Sequence, residues 1–338
     1  MPGWPARSEV LKRVGDMRQL AAAELVEAQE GSERGGRKAV VTAGSGLAFT
    51  VHVDRGLDIG EASFRGVNLT WRSPVGAARS GTGGWLRRFP GGLLTTCGLD
   101  NVGPPEGERT LHGRHSGTPA RLLRLESFWE GASYVTEILG EVRDYALFGP
   151  NLALRRRIRT RHDRAELTVR DRVTNEGYEP QPLMLLYHCN FGYPLLDEGS
   201  TLESPGALSP RDGAAEAGLS YALKLHGPEA GYAEQVFHAD ARLHNLGAED
   251  GVCTVRLHNA ALGVGVGLRF AASELPHFTL WKQFGEGAYV LGLEPGTCGV
   301  LGYARERELG RVVTLAPGAS YETGLTFTFE AATFEAVP

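Results

Sequence analysis

Alternation of apolar and polar residues dominates the chain and predicts β-strands. Residues 325–329 place three apolar side chains on one face and two threonines on the other, which is the period of two that a strand produces. Residues 182–187 and 289–293 are almost continuously apolar, as in strands buried on both faces. Similar alternating runs recur at residues 47–53, 134–142, 152–160, 167–173 and 252–257. The pattern therefore predicts an all-β fold.

One segment conflicts with this pattern. Residues 16–30 are rich in Ala, Leu, Glu and Gln, which are strong helix formers, and their propensity taken alone predicts a helix. The glycine-rich residues 31–36 that follow would also serve as a loose turn between two strands.

Composition supports many short strands and excludes several classes of protein. The chain of 338 residues contains 46 glycines and 18 prolines, which suits tight turns better than a helical bundle. Its net charge of −5 argues against a nucleic-acid partner, since such proteins carry a basic face. Neither a signal peptide nor a membrane-spanning apolar run is recognisable. The four cysteines form no C-x-x-C pair, so we expect reduced thiols and a cytoplasmic protein with no membrane partner.

Three segments collect groups that suit a sugar site. Residues 91–103 are rich in glycine and polar residues and are soon followed by Leu111-His112-Gly113; glycine lets the backbone approach a ligand closely. His188 ends an apolar run and opens a loop, and Glu294 ends another just before a proline. A carboxylate in such a position is unusual unless it has partners or a function.

Each of these residues also has a purely structural interpretation. His112 could cap backbone groups in a loop, His188 could be a hydrogen-bonded core histidine, and Glu294 could be held by backbone amides. Lys282 could be a solvated surface lysine. Cys97 and Cys189, with small thiol side chains, are expected to be buried apolar residues.

Together the segments resemble the aldose 1-epimerase (galactose mutarotase-like) superfamily. That family has a His-Gly motif, a second histidine at a strand end followed by Asn and an aromatic residue, and a late Leu-Glu-Pro motif. Their counterparts here are Leu111-His112-Gly113, His188-Cys189-Asn190-Phe191 and Leu293-Glu294-Pro295. The chain is most similar to the uncharacterised DUF4432-type branch, through residues 54–59, 91–103, 188–194 and 281–297.

The resemblance implies a fold. We expect one large antiparallel β-sandwich (a supersandwich) with few short helices, forming a single carbohydrate-binding domain over residues 1–338 with its core at about residues 15–330. It also makes residues 16–30 more suited to a strand than to a helix.

The resemblance also implies a reaction, the interconversion of sugar anomers by general acid and base catalysis. Glu294 would be the base, ionised in the free site, and His188 the acid, protonated near neutral pH. His112 would hydrogen-bond the sugar, and Trp281, Trp85 or Phe191 could stack on it. The further candidates for substrate binding are Arg55, Asp100, Asn101, Lys282, His238 and Trp281.

Departures from the family pattern keep other functions open. The Asn-Arg motif that precedes the first histidine in mutarotases is missing, and the sugar-binding aspartate has no clear counterpart. The protein could therefore be a non-catalytic carbohydrate sensor, or a metal-dependent sugar isomerase using His112 and His115 with His188 and Glu294. We expect a small carbohydrate as partner, anionic if Lys282 and Arg55 face it, and no cofactor. The sequence leaves the oligomeric state open.

Overall fold

The architecture is that of a sandwich of antiparallel sheets. A computed structural model describes residues 5–77, 84–203, 206–242 and 251–331. About half of the chain is in strands, and the helices are few and short. The all-β prediction is confirmed.

A five-stranded sheet is formed by the amino-terminal part of the described chain. Its strands follow each other in sequence order and every pair is antiparallel. They are β1 (Ala22–Glu27), β2 (Arg37–Thr42), β3 (Leu47–His52), β4 (Asp58–Phe64) and β5 (Val67–Asn68).

The largest sheet in the described residues has eight strands. One strand, β20, lies between two groups of antiparallel strands and joins them into a single sheet. In spatial order its strands are β12 (Thr201–Glu203), β15 (Val252–Asn259), β16 (Val264–Ala271), β20 (Ser320–Ala331), β10 (Glu166–Asn175), β9 (Asn151–Arg161), β8 (Ser133–Tyr145) and β7 (Arg121–Glu130).

The third sheet carries the candidate site. Both β19 and β6 pair with the same edge of β11, at successive positions along it. In spatial order the strands are β13 (Ser209–Pro210), β14 (Gln235–Asp240), β17 (His277–Gly285), β18 (Ala288–Gly296), β11 (Gln181–Gly192) and β19 (Val313–Leu315), with β6 (Thr95–Leu99) beside β11.

The helices are short and lie before β1 or in the connections between strands. The α-helices are α1 (Arg7–Leu11), α2 (Gly213–Gly218) and α3 (Tyr303–Glu308). Single 3-10 turns lie at Met17–Gln19, Gly31–Glu33, Trp85–Arg87, His115–Gly117 and Leu219–Tyr221.

Segment 16–30 contains a strand and a 3-10 turn, and no α-helix. Residues Ala22–Glu27 form β1, which pairs along its whole length with β2, while Ala23 packs against the core. The helix that propensity alone predicts is therefore wrong, and the strand implied by the resemblance is confirmed. Sheet hydrogen bonds and packing outweigh helix propensity, which is a weak local preference.

A row of polar side chains crosses the third sheet on one face. Directly paired residues of antiparallel strands share a face. Leu186 pairs with Gly296 and Cys189 with Leu293, which sets His188 opposite Glu294. Following the register from strand to strand, the row consists of Thr95, His188, Glu294, Thr279, His238 and Ser209.

The opposite face of β11 is anchored by a buried ionic network. Arg156 is fully buried and makes two parallel hydrogen bonds to the carboxylate of Asp171, at 2.9 and 2.6 Å. Tyr187, the neighbour of His188, donates to the same carboxylate at 2.8 Å. Asp58 accepts from Arg156 at 3.3 Å and from the backbone of Thr96 at 3.0 Å. These bonds fix β6 and β11 beneath the polar row.

Candidate functional site

A cavity of about 420 Å³ opens over the polar row. Such a volume is in the usual range for small-molecule sites. Most of its lining is apolar or aromatic, with six polar side chains among it. The lining consists of Trp85, Leu86, Phe89, Gly103, Pro104, Leu111, His112, His188, Arg211, Glu234, Val236, Thr279, Trp281, Glu294, Val300 and Leu301.

His188 and Glu294 form a close pair in this cavity. Nε2 of His188 lies 3.2 Å from Oε1 of Glu294, and both side chains are almost completely buried. The sequence places each residue near the end of a buried strand, and the register of β11 with β18 brings the two side chains together. An imidazole and a carboxyl group therefore lie side by side and face the same ligand space, without a hydrogen bond to Oε1 of Glu294.

Burial determines where that proton lies in the empty site. Burial raises the pKa of Glu294 well above its usual range, because the charged carboxylate loses its hydration. The same effect, reinforced by the neighbouring His112, lowers the pKa of His188 to about 3. Burial thus favours the neutral forms of both side chains in the empty site, which is opposite to the charge distribution expected from the sequence.

The His-Gly motif forms a turn that aims His112 into the cavity. His112 and Gly113 both have left-handed backbone conformations, with φ of 55° and 72°. A Cβ atom on residue 113 would lie 2.2 Å from the carbonyl oxygen of Gly98, so only glycine fits. The backbone N–H of Gly103 donates to Nδ1 of His112 at 3.3 Å. Because burial lowers the pKa of His112 to about 4, the ring is neutral and presents Nε2–H as a donor.

Aromatic rings surround the two histidines. Trp85 stacks on Phe89 with ring centroids 4.2 Å apart and lies 4.6 Å from the ring of His112. Trp281 meets His188 edge to face at 5.1 Å. Flat aromatic faces of this kind suit the apolar face of a sugar ring.

Arg211 and Glu234 contribute charges to the cavity that the sequence analysis missed. Arg211 directly follows β13 and Glu234 directly precedes β14, so both lie outside regular strands. Nη2 of Arg211 lies 2.9 Å from Oε1 of Glu234, and Nε1 of Trp281 donates to Oε2 of Glu234 at 3.0 Å. No motif marks either residue; only the strand register, which the sequence does not reveal, brings them to the site.

Three predicted binding residues lie outside the lining. Arg55 is buried and donates to the carbonyl oxygen of Arg88. Asn101 is fully buried, and its amide donates to the carbonyls of Pro104 and Thr110, both at 2.9 Å. The backbone carbonyl of Asp100 accepts from Arg109. Asn101 thus shapes the loop that carries Gly103, while its own side chain is turned away from the cavity.

Two further candidates lie on the same sheet but not on the lining. Lys282 follows Trp281 on β17 and so points to the opposite face, where it donates to the carbonyls of Tyr221 and Lys224 at 3.2 and 3.0 Å. Burial there lowers its pKa to about 8. His238 lines a separate cavity of about 300 Å³, and its Nδ1 lies 3.4 Å from Oγ1 of Thr279, which borders the main cavity.

The histidine pair considered for metal binding is split. His115 is buried and its Nε2 lies 3.2 Å from the carbonyl oxygen of Gly56, on the far side of the 112–115 turn from His188. In the part of the chain that the structure describes, no group of three or more His, Cys, Asp or Glu side chains could hold a metal ion. The four cysteines are free and buried, which confirms the prediction for Cys97 and Cys189.

Solved structures share this architecture. A protein from Klebsiella pneumoniae subsp. pneumoniae MGH 78578, provisionally named an aldose 1-epimerase, is 27% identical with a TM-score of 0.85 over 94% of this chain and 87% of its own. A galactose mutarotase-like protein from Clostridium acetobutylicum is 14% identical with a TM-score of 0.58, over 92% and 98% of the two chains. The second likeness concerns the fold alone.

Comparison of the sequence with protein-family models agrees with the structural comparison. No curated protein sequence matches the chain. In the described residues no helix has the length and apolar character needed to cross a membrane. The model of the family described as Domain of unknown function (DUF4432) matches residues 33–329. The chain therefore belongs to the DUF4432 family and has the galactose mutarotase-like fold that its motifs implied.

Proposed function

We propose that the protein is an aldose 1-epimerase-like enzyme that binds a monosaccharide or sugar acid and interconverts its anomers. The observation that carries this proposal is the pairing of His188 with Glu294 at 3.2 Å in an aromatic-lined cavity. An acid and a base that face one ligand space are what the opening of a cyclic hemiacetal requires. The likeness to the Klebsiella protein points to the same reaction.

Ring opening needs one proton removed and one delivered. Glu294, as the carboxylate, takes the proton from the anomeric hydroxyl while the bond between the anomeric carbon and the ring oxygen breaks. His188, as the imidazolium, gives its proton to the departing ring oxygen. The open-chain aldehyde then rotates about its first carbon–carbon bond. When the ring closes on the other face, the attacking hydroxyl group gives its proton to His188. Glu294 gives its proton to the aldehyde oxygen, so both side chains return to their starting forms.

The proposed reaction needs both side chains in their charged forms, which a bound sugar must favour. In the empty cavity burial disfavours both charges, because it raises the pKa of Glu294 and lowers that of His188. Sugar hydroxyls that replace apolar surroundings stabilise the charged form. We expect a bound sugar to stabilise the imidazolium of His188 together with the carboxylate of Glu294, which lie 3.2 Å apart.

The remaining lining residues bind and orient the sugar. His112 offers Nε2–H to a hydroxyl group, since its Nδ1 accepts from Gly103. Trp281 and Trp85 provide flat apolar faces. Thr279, beside Glu294 in the polar row, places a hydroxyl next to the reacting centre.

The test is anomer exchange measured by saturation-transfer NMR on a panel of neutral and acidic sugars. Enhanced exchange for one sugar should fall by about 10²–10⁴-fold in Glu294→Gln. Glu330→Gln is the matched control, because it makes the same change at an exposed position of β20. Full exchange in the Glu294 variant would contradict the proposed chemistry.

A second candidate function is a non-catalytic carbohydrate sensor. One observation favours it: burial holds His188 neutral, and a neutral imidazole is no strong acid. Under this alternative the same panel gives saturable binding of one sugar without faster anomer exchange, and Glu294→Gln changes affinity alone.

A further inference from the structure

A second cavity lies beside the candidate site, on the same face of the third sheet. Its volume is about 300 Å³, and its ionisable lining residues in the described chain are His238, Asp240, His277 and Arg311. In the register of β14 with β17, Asp240 pairs with His277 and His238 pairs with Thr279, so these side chains share one face of the sheet. Thr279 lines the first cavity, and its Oγ1 lies 3.4 Å from Nδ1 of His238. The two cavities are therefore neighbours with separate linings.

The guanidinium of Arg311 has hydrogen-bond donors without an acceptor. Its ion-pair partner is Oε2 of Glu306 at 3.9 Å, which is too long for a hydrogen bond. The two carboxylate oxygens of Glu306 accept instead from the backbone N–H groups of Gly299 and Leu301, at 3.0 and 3.1 Å. Within the described ranges no residue accepts a hydrogen bond from this guanidinium. Arg311 therefore presents a charged donor group to the second cavity.

Asp240, the carboxylate that lines the same cavity, is engaged elsewhere. Its Oδ1 accepts from the backbone N–H and from Nε of Arg242 at 2.9 and 3.1 Å, and its Oδ2 accepts from Nη2 at 2.8 Å. Two arginines and two carboxylates thus balance in charge around the cavity. Their hydrogen bonding does not balance, because Asp240 and Glu306 are both satisfied while the guanidinium of Arg311 is not.

Two histidines add neutral donors beside Arg311. Burial, followed by the positive charge of Arg311, lowers the pKa of both His238 and His277 to about 4. At neutral pH each ring therefore offers one N–H donor. Nε2 of His238 is buried without a hydrogen-bond partner in the described residues. The ring of His277 is buried too, and no described side chain or backbone group bonds to it.

We propose that the second cavity is a binding site for a small molecule that carries a carboxylate group, held by Arg311 together with His238 and His277. A guanidinium and a carboxylate form two parallel charge-assisted hydrogen bonds, which are about twice as strong as neutral ones. The hydrocarbon part of the ligand would lie against Leu208 and Phe278, which line the same cavity. This apolar surface favours an organic acid over inorganic phosphate.

The experiment compares acids with their own amides. Acetate, butyrate and benzoate are titrated into the full chain by calorimetry, each against its primary amide, and inorganic phosphate is titrated separately. We expect at least one acid to bind saturably and at least about tenfold more tightly than its amide. In ¹⁵N NMR spectra of the imidazole groups, that acid should shift the signals of His238 and His277. The signal of His162, which bonds to Thr136 in another sheet, should stay in place.

Variants test the part played by each donor. Arg311→Gln should weaken binding of the acid by about tenfold, and Arg311→Lys, which keeps the charge but loses the fork, should weaken it less. Arg305→Gln is the matched control, since it removes an exposed arginine from α3, and should leave the affinity unchanged. His277→Phe keeps a ring of similar size without its N–H and should weaken binding by about fivefold. Thermal melts accompany each variant.

The inference is overturned if no acid binds saturably to the wild-type protein, or if acid and amide bind equally well. Unchanged affinity in both Arg311→Gln and His277→Phe, or binding that shifts neither histidine signal, would place the ligand elsewhere and overturn it as well. Inorganic phosphate that binds more tightly than every acid would contradict the ligand class. The inference goes beyond the proposed function, which is decided separately by anomer exchange.

Discussion

Gly292 lies directly beside the carboxyl group of Glu294, at a position where any side chain would collide with it. A Cβ atom on residue 292 would be 2.4 Å from Oε1 of Glu294 and 2.9 Å from Cβ of Trp281. Both neighbours project from the same face of the sheet, so the absence of a side chain at Gly292 makes room for the carboxyl group and the aromatic wall together.

We predict that Gly292→Ala impairs the site more than the fold. The added methyl group must displace the Glu294 carboxyl group from its position beside His188, and displacement of about 1 Å at a reacting centre can cost 10²-fold in rate. Anomer exchange measured by NMR should therefore fall by roughly 10-fold to 10²-fold, with the circular dichroism spectrum unchanged.

The control for this variant is Gly213→Ala, because a Cβ atom at that position meets nothing within 4 Å. Exchange should remain at the wild-type rate in the control. Wild-type exchange in Gly292→Ala as well would show that the position of the Glu294 carboxyl group is unimportant.

A pair of substitutions at His112 separates binding from folding. His112→Asn suits the left-handed backbone at this position, φ 55°, and keeps an acceptor near Gly103 while it removes the Nε2–H donor. We expect a weaker sugar complex, by about tenfold, with an unchanged melting temperature. His112→Val should lower the melting temperature, because a β-branched residue is strained at positive φ. Calorimetry and thermal melts distinguish the two effects, and equal sugar affinity in His112→Asn and the wild type would refute the binding role.

Lys282 is predicted to matter for stability and not for ligand choice. Lys282→Met removes the donor that satisfies the part-buried carbonyls of Tyr221 and Lys224, and the loss of a hydrogen bond from a charged donor costs about 1.5–3 kcal/mol. Denaturant unfolding should report this loss, while the relative affinities for neutral and acidic sugars stay the same. A change in that preference would indicate that the ammonium group acts on the ligand.

Acid should destabilise the folded protein as the pH falls from about 6.5 to about 4. Burial lowers the pKa of seven histidines, to about 3 for His188 and about 4 for His52, His112, His115, His162, His238 and His277. Below pH about 6.5 the unfolded chain binds protons at these positions and the folded chain does not, so unfolding is favoured as the pH falls.

Two carboxyl groups oppose this trend, since burial raises the pKa of Asp58 to about 6 and that of Glu294 well above its usual range. Both bind a proton more readily in the folded state, so they stabilise it on acidification. Thermal melts across the pH range should show a shallower decline in His162→Gln and a steeper one in Asp58→Asn. A melting temperature independent of pH would contradict the predicted burial of the neutral histidines.

The sequence identified the motifs of the site, but it did not show which face of the sheet each side chain occupies. His188 and Glu294 end apolar runs, which made them visible, and His112 precedes a glycine that its turn requires. Trp281 and Lys282 are adjacent, so strand alternation sends one to the cavity and the other away. Which of the two side chains faces the cavity depends on how β17 pairs with its neighbours, and this pairing is a property of the whole sheet.

The excursion between β12 and β14 was the least predictable part. Its glycine, alanine and proline content indicates a loop, and nothing in its local pattern distinguishes Arg211 or Glu234 from solvated surface charges. Their position depends on contacts with Trp281 and Val236 across the sheet. Propensity likewise failed at Ala22–Glu27, where pairing with β2 is decisive.

The polar row from Thr95 to Ser209 has a consequence for assembly of the protein during folding. Each of its six members belongs to a different strand, and the strands come from regions of the chain as far apart as β6 and β18. No single hairpin contains the proposed acid, the proposed base and the proposed sugar-binding groups together. Catalytic activity is therefore expected only after all six strands of the row have paired. A refolding experiment that follows activity should record the last of these long-range strand pairings to form.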